Sequence, residues 1–116
     1  MKPVIYGIPT CDSVRKARKW FEAESIEYDF VDFRKQAPTR EQLGTWLAAL
    51  GNNALINKRS TTWKQLSDAE RNEVEHGDSI AILLAQPTLI KRPLLEYDGE
   101  TAVGFSAKDY VTRFGC

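Results

Sequence analysis

Residues 3–33 place the tightest constraint on the fold. Pro3-Val4-Ile5-Tyr6 is short and apolar and reads as a strand. Gly7-Ile8-Pro9-Thr10 reads as a loop. From about residue 12 to 24, Val14, Ala17 and Phe21 recur at i, i+3 and i+7, one face of a helix. Trp20 widens that face, while Arg15, Lys16, Arg18 and Lys19 fall largely on the opposite, solvated side. Glu27 to Phe33 then alternates polar and apolar, the period of a strand with one buried face. Strand, helix and strand within about 30 residues make a βαβ unit, which forces the two strands to run parallel.

The last third carries the opposite signal. Leu94 to Tyr97 and Glu100 to Val103 flank Asp98-Gly99, which supplies the two positive-φ positions of a type I′ hairpin turn. Ser106, with Asp109 three residues on, opens a final helix with Tyr110, Val111 and Phe114 on its apolar side. Between these ends the pattern is helical. Thr39 with Gln42 and Ser67 with Glu70 are capping boxes, and Gly51 and Gly77 supply stops. Ser60 precedes a short helix containing Trp63 and Leu66. Asp78 can cap Ser79 to Ala85, a run that is also short enough for a strand; the cap and the alanines favour helix. The expected class is α/β: β-α-β, a helical block, then β-β-α, with a mixed four-stranded sheet.

The chain has 116 residues, so a single domain over 1–116 is expected, with the helical block inserted at about 38–90. A hydrophobic content of 42% suffices for a core without disulfides or a structural metal. Sixteen basic residues balance 16 acidic ones, which argues against a large nucleic-acid footprint or a polybasic membrane anchor and leaves only a local basic patch open. No run approaches the ~18 apolar residues of a membrane span. The apolar stretch after Lys2 is too short for a secretory leader, so a cytoplasmic address with reduced thiols is expected. Two cysteines and one histidine, His76, cannot complete a four-ligand zinc site without carboxylates, so no metal is expected.

Cys11 stands where the first loop becomes a helix. Backbone N–H groups there lack partners, and the helix dipole is positive. Both favour an anion, which is how a thiol becomes a nucleophile. The competing reading is a small buried hydrophobe. Position i+3 is Val14, so there is no C-x-x-C pair, and the place where a phosphatase loop needs arginine holds Ala17. His76 sits in polar Glu75-His76-Gly77-Asp78, more consistent with a surface residue than with a Cys/His dyad. Cys116, at the end of the chain, reads as a bystander. Arg59 and Arg92 could grip carboxylates or oxyanions through their planar forks, but any arginine can equally be solvated surface, and Lys91 still more so. Trp20, Trp46 and Trp63 read as packing residues rather than stacking platforms.

Three segments together carry a family likeness: Tyr6-Gly7-Ile8-Pro9-Thr10-Cys11-Asp12-Ser13, Asn57-Lys58-Arg59-Ser60-Thr61-Thr62-Trp63 and Ile90-Lys91-Arg92-Pro93-Leu94-Leu95. In this order and spacing they resemble the glutaredoxin-linked arsenate reductase and Spx family, and within it the small bacterial YffB proteins. The resemblance implies a thioredoxin-like fold with a helical insertion. It makes Cys11 the nucleophile and Pro93 similar to the family's cis-proline. It matches Arg59 and Arg92 to two arginines that hold the anionic substrate, assisted by the backbone N–H groups of Asp12 and Ser13. The implied activity is a glutathione-dependent thiol/disulfide oxidoreductase, with glutathione as co-substrate and glutaredoxin as a further partner.

Two departures qualify that implication. Arsenate reductases of this kind carry a third arginine after the hairpin, where this chain reads Val103-Gly104-Phe105-Ser106. Spx regulators carry a C-x-x-C switch, where this chain has Val14. An authentic arsenate reductase, or a regulator that binds RNA polymerase without turnover, are therefore the alternative expectations.

Overall fold

A computed structural model describes residues 2–115. In chain order the elements are β1 (Val4–Gly7), α1 (Asp12–Ala23), β2 (Asp29–Asp32), α2 (Arg40–Leu50), α3 (Asn52–Leu55), α4 (Thr61–Gln65), α5 (Asp68–His76), α6 (Ser79–Ala85), β3 (Leu94–Tyr97), β4 (Glu100–Val103) and α7 (Ala107–Phe114). A single 3-10 turn, Pro87–Leu89, follows α6. The residues gather into two units. One comprises the chain up to Lys35 and from Arg92 on; the other is Gln36–Lys91. No helix among the described residues is long and apolar enough to cross a membrane.

The first unit holds one sheet in the order β2-β1-β3-β4. β1 lies parallel to β2, with Ile5 opposite Phe30, and antiparallel to β3, with Ile5 opposite Leu95. β3 and β4 form the expected hairpin, and both turn residues take positive φ, 53° at Asp98 and 79° at Gly99. The mixed sheet with its crossover helix is the thioredoxin-like α/β arrangement the resemblance implied. The helical periodicity of α1 is realised: Val14, Ala17 and Phe21 are its buried residues. Ala17 and Phe21 pack with Ile5, Leu95 and Tyr110, so α1 and α7 cover the same face of the sheet. Aromatic edges close this core. Trp20 meets Tyr110 at 5.3 Å and 87°, and Phe21 meets Phe114 at 5.3 Å and 77°. Truncating a ring as enclosed as Phe21 to alanine costs about 3–5 kcal/mol.

The helical unit is assembled by its caps. Both capping boxes form: Thr39 with Gln42 at the start of α2, and Ser67 with Glu70 at the start of α5. Ser60 accepts from the Trp63 N–H, and Asp78 from the Ala81 N–H. The Asp78 cap decides the ambiguous Ser79–Ala85 run in favour of helix. Leu43, Trp46, Leu55, Ile56, Val74, Leu83, Leu89 and Ile90 are all buried. The two chain passes flanking these helices pair briefly. The Asn57 N–H donates to the Leu89 carbonyl and the Lys91 N–H to the Leu55 carbonyl, each at 2.8 Å, around an Ile56–Ile90 bridge. This ladder, α3 and the 3-10 turn were not apparent in the sequence pattern.

Tyr110 is an internal mismatch in the sheet unit. Its ring is fully buried, and its hydroxyl finds no hydrogen-bond partner among the described residues. Burial pushes its phenol above the ordinary value of 10.0, with the Asp109 carboxylate adding to the effect. A folded-state acid raised in this way keeps its full contribution below the unfolded pKa and loses it as pH climbs above about 10. Tyr110→Phe removes the unpaired hydroxyl and keeps the ring. The variant should match or exceed the parent's stability, by up to about 1 kcal/mol, and should unfold less readily than the parent above about pH 10. Urea melts at neutral and alkaline pH check both; a loss of several kcal/mol at neutral pH would show that the hydroxyl is in fact satisfied.

Candidate active site

The loop before α1 is built by a turn. The Cys11 N–H donates to the Ile8 carbonyl at 3.0 Å, and Pro9 takes the second turn position, where its fixed φ fits. Cys11 is then the N-cap of α1, with extended φ/ψ of −73° and 128°. Its carbonyl accepts from the Arg15 N–H at 3.0 Å, the first bond of the helix. Its side chain makes no capping bond. The thiol is free and half-buried, so the N–H groups of the first turn remain open to an incoming anion.

Gly7 sets how close the helix comes. A Cβ at Gly7 would lie 2.6 Å from Val14 Cγ2, and Val14 is itself completely buried. The glycine is required for close approach, since its φ is not positive. Strand end, turn and helix start are thereby pressed into one arrangement with Cys11 at its corner.

The same end of the sheet receives Arg92 and Pro93. Leu94 pairs with Tyr6 across β1 and β3 and with Val103 across β3 and β4. Pro93 therefore lies beside the point where β1 leaves for the Cys11 loop. The Arg92–Pro93 bond is cis, as the resemblance implied, and the Pro93 carbonyl accepts from the Gly104 N–H at 2.9 Å. Arg92 is half-buried and forms no ion pair among the described residues. Topology thus brings Cys11, Asp12, Ser13, Arg92 and Pro93 to one end of one sheet.

Asp12 and Ser13 can contribute only in part. The Asp12 carboxylate is exposed and paired with its own helix, 3.3 Å from Lys16 Nζ and 3.4 Å from an Arg15 guanidinium nitrogen. The hydrogen bond from Lys16 holds its carboxyl below the ordinary value. An ionised carboxylate repels an anion, so only the backbone N–H of Asp12 suits that role.

Arg59 belongs to the helical unit. Its exposed side chain stands on a tight turn: Asn57 Oδ1 accepts from the Arg59 N–H at 3.0 Å, and the Ser60 hydroxyl donates to the Asn57 carbonyl at 2.8 Å. Asn57-Lys58-Arg59-Ser60 is therefore an Asx turn that runs into the Ser60 cap of α4. His76 is exposed at the end of α5, on a cavity of about 510 Å³ lined also by Leu50, Asn52, Lys58 and Glu75. Cys116 lies outside the described residues. Lys91, read from sequence as plain surface, lines a second cavity together with Arg59. The Asn57 signal, an Asx residue two before the arginine, was present in the sequence and marks this turn.

The ArsC family profile matches residues 6–112. The chain belongs to the ArsC family. An uncharacterised protein of Haemophilus influenzae is 37% identical over 110 residues, covering 95% of this chain and 96% of the relative. A solved YffB protein superposes with a TM-score of 0.90 at 38% identity, over 96% of this chain and 97% of that one. An arsenate reductase (ArsC) related protein from Brucella melitensis gives a TM-score of 0.77 at 37% identity, over 100% and 97% of the two chains. Family relatives also include the regulatory protein MgsR of Bacillus subtilis, 29% identical over 87% of this chain and 81% of the relative.

The Gly7–Val14 contact supplies a test. Gly7→Ala must displace either β1 or the first turn of α1, which should cost about 1–3 kcal/mol. The alkylation rate of Cys11 should change with it, while Gly44→Ala, at a helical position with nothing within 4 Å, should leave that rate unaltered. Denaturant melts and timed iodoacetamide labelling measure the two effects.

Proposed function

We propose that this ArsC-family protein is a cytoplasmic thiol/disulfide oxidoreductase that uses glutathione. The observation that carries the reading is the free thiol of Cys11, uncommitted as an N-cap, at the same end of the sheet as Arg92 and Pro93. The Cys11 thiolate attacks the glutathione sulfur of a mixed disulfide substrate. The S–S bond breaks, the substrate leaves as a thiolate and takes up a proton, and a Cys11–glutathione disulfide forms. A second glutathione thiolate attacks the glutathione sulfur of that adduct. Cys11 leaves as the thiolate, and oxidised glutathione is released, made of the glutathionyl group the substrate carried and the one glutathione thiol consumed, so that one disulfide is exchanged for another. Val14 at i+3 leaves no local resolving cysteine, which is why the second thiol must come from outside. In this reading Arg92 and Arg59 hold carboxylates of glutathione, with the N–H groups of Asp12 and Ser13, and glutaredoxin is a further thiol partner.

Cys11→Ser should abolish glutathione-dependent reduction of a mixed-disulfide substrate and leave the melting temperature within a few degrees of the parent's. Arg92→Ala should raise the KM for glutathione about tenfold with a smaller effect on kcat. Full turnover by the serine variant would refute the assignment.

The regulator names among the relatives favour one second reading, a non-enzymatic protein that binds RNA polymerase. It calls for saturable binding to purified polymerase and no turnover, and the two assays run on one preparation separate the cases.

A further inference from the structure

The sheet of the first unit has two outer strands, and they are finished differently. In the order β2-β1-β3-β4, β2 pairs only with β1 and β4 only with β3. An outer strand presents unpaired N–H and C=O groups that can template another strand, and charge along it is a common guard. β2 is guarded. Asp29 at one end is paired with Lys2 at 3.2 Å, Asp32 at the other accepts from the Arg34 N–H at 2.9 Å, and the Arg18 guanidinium lies over Phe30. On β4 the one charge is Glu100 at the first position, 3.6 Å from the Arg113 guanidinium. Thr101-Ala102-Val103 carries neither charge nor proline.

The ladder decides which groups face outward. The Gly104 N–H reaches the Pro93 carbonyl at 2.9 Å, and Leu95 lies opposite Ala102. Antiparallel pairs alternate between hydrogen-bonded and non-hydrogen-bonded. Glu100, Ala102 and Gly104 therefore spend their backbone groups on β3, while the N–H and C=O groups of Thr101 and Val103 point away from it. Those groups meet no other partner among the described residues, and both residues are half-exposed.

Laid antiparallel on itself about a two-fold axis at Ala102, this edge is its own complement. Thr101 falls opposite Val103 of the second copy, and Val103 opposite its Thr101. Each such pair exchanges two N–H···O bonds and sets one β-branched side chain against another, a favoured cross-strand neighbour. Ala102 meets Ala102 in the close, non-hydrogen-bonded position, with about 4.5 Å between Cα atoms, where only a methyl group needs room. Glu100 falls opposite Gly104, whose φ of 82° ends the strand, so like charges do not face each other.

We propose that the outer edge of β4 is the contact between two copies of this chain, joining their sheets into one continuous sheet. The pairing is independent of the thiol chemistry given above.

The test uses the full chain with Cys11→Ser and Cys116→Ser, so that no disulfide can join copies. Sedimentation velocity up to about 1 mM should show a monomer–dimer equilibrium. Amide exchange read residue by residue should slow at Thr101 and Val103 as concentration rises, while Gly99, in the exposed turn, keeps its rate. Thr101→Pro removes an outward N–H where an edge strand tolerates proline, and should weaken association at least about tenfold. Val103→Lys, which leaves the backbone unrestricted, should weaken it as well, because charge blunts an edge. A chain that stays monomeric throughout that range overturns the proposal. So does a dimer whose Thr101 and Val103 amides exchange at the monomer rate, because its contact lies elsewhere. Protection of those amides only by an added peptide of alternating Val and Thr, with the chain itself monomeric, assigns the edge to a foreign strand and also overturns the dimer.

Discussion

The approach of Val14 to Gly7 governs the rest of the cysteine corner. A helix can begin at Asp12 only if its first turn settles onto the end of β1, and only a residue without a Cβ leaves that room. Once it has settled, Ala17 and Phe21 fall onto Ile5 and Leu95, and the crossover to β2 follows. The Ile8–Cys11 turn is then the shortest way to join strand to helix, and it leaves Cys11 at the cap with its thiol unused. Packing and chemistry therefore share one contact.

The charges on α1 are disposed so as to leave that corner uncluttered. Arg15 and Lys16 close on Asp12. Arg18 donates to the Tyr28 hydroxyl at 3.0 Å and lies 4.2 Å over the Phe30 ring. The exposed Asp12 pairs contribute little to stability. Their consequence is positional, because three of the helix's own cations, Arg15, Lys16 and Arg18, are engaged on its flank. Arg92, at the sheet end, is left without a counter-ion among the described residues. On the helical unit the same contrast separates Lys58, held by Glu75, from Arg59 and Lys91.

Elements with a strong local cause were legible in the sequence. Asp98-Gly99 dictated its hairpin through two positive-φ positions, and both capping boxes formed where Thr39 and Ser67 announced them. The cap at Asp78 likewise resolved an apolar run that periodicity left ambiguous. What escaped were features without period. α3 is a single turn, too short for any repeat to show. The Ile56–Ile90 pairing joins residues 34 apart in sequence through one bridge, a non-local event that no neighbouring residue signals. Lys91 is exposed, as its sequence context implied; that it lines one cavity with Arg59 follows from that ladder, which no local pattern announces. The functional weight of Arg59, Arg92 and Pro93 came from the family likeness, since each residue type alone is ordinary surface or turn material.

The central claim is that Cys11 accepts glutathione as a covalent partner. Incubating the protein with oxidised glutathione, followed by intact mass and peptide mapping under non-reducing conditions, tests it most directly. A single glutathione adduct on the peptide containing Cys11, removed by added glutathione, is the predicted result. An unmodified Cys11, or an adduct confined to the peptide ending in Cys116, would contradict it.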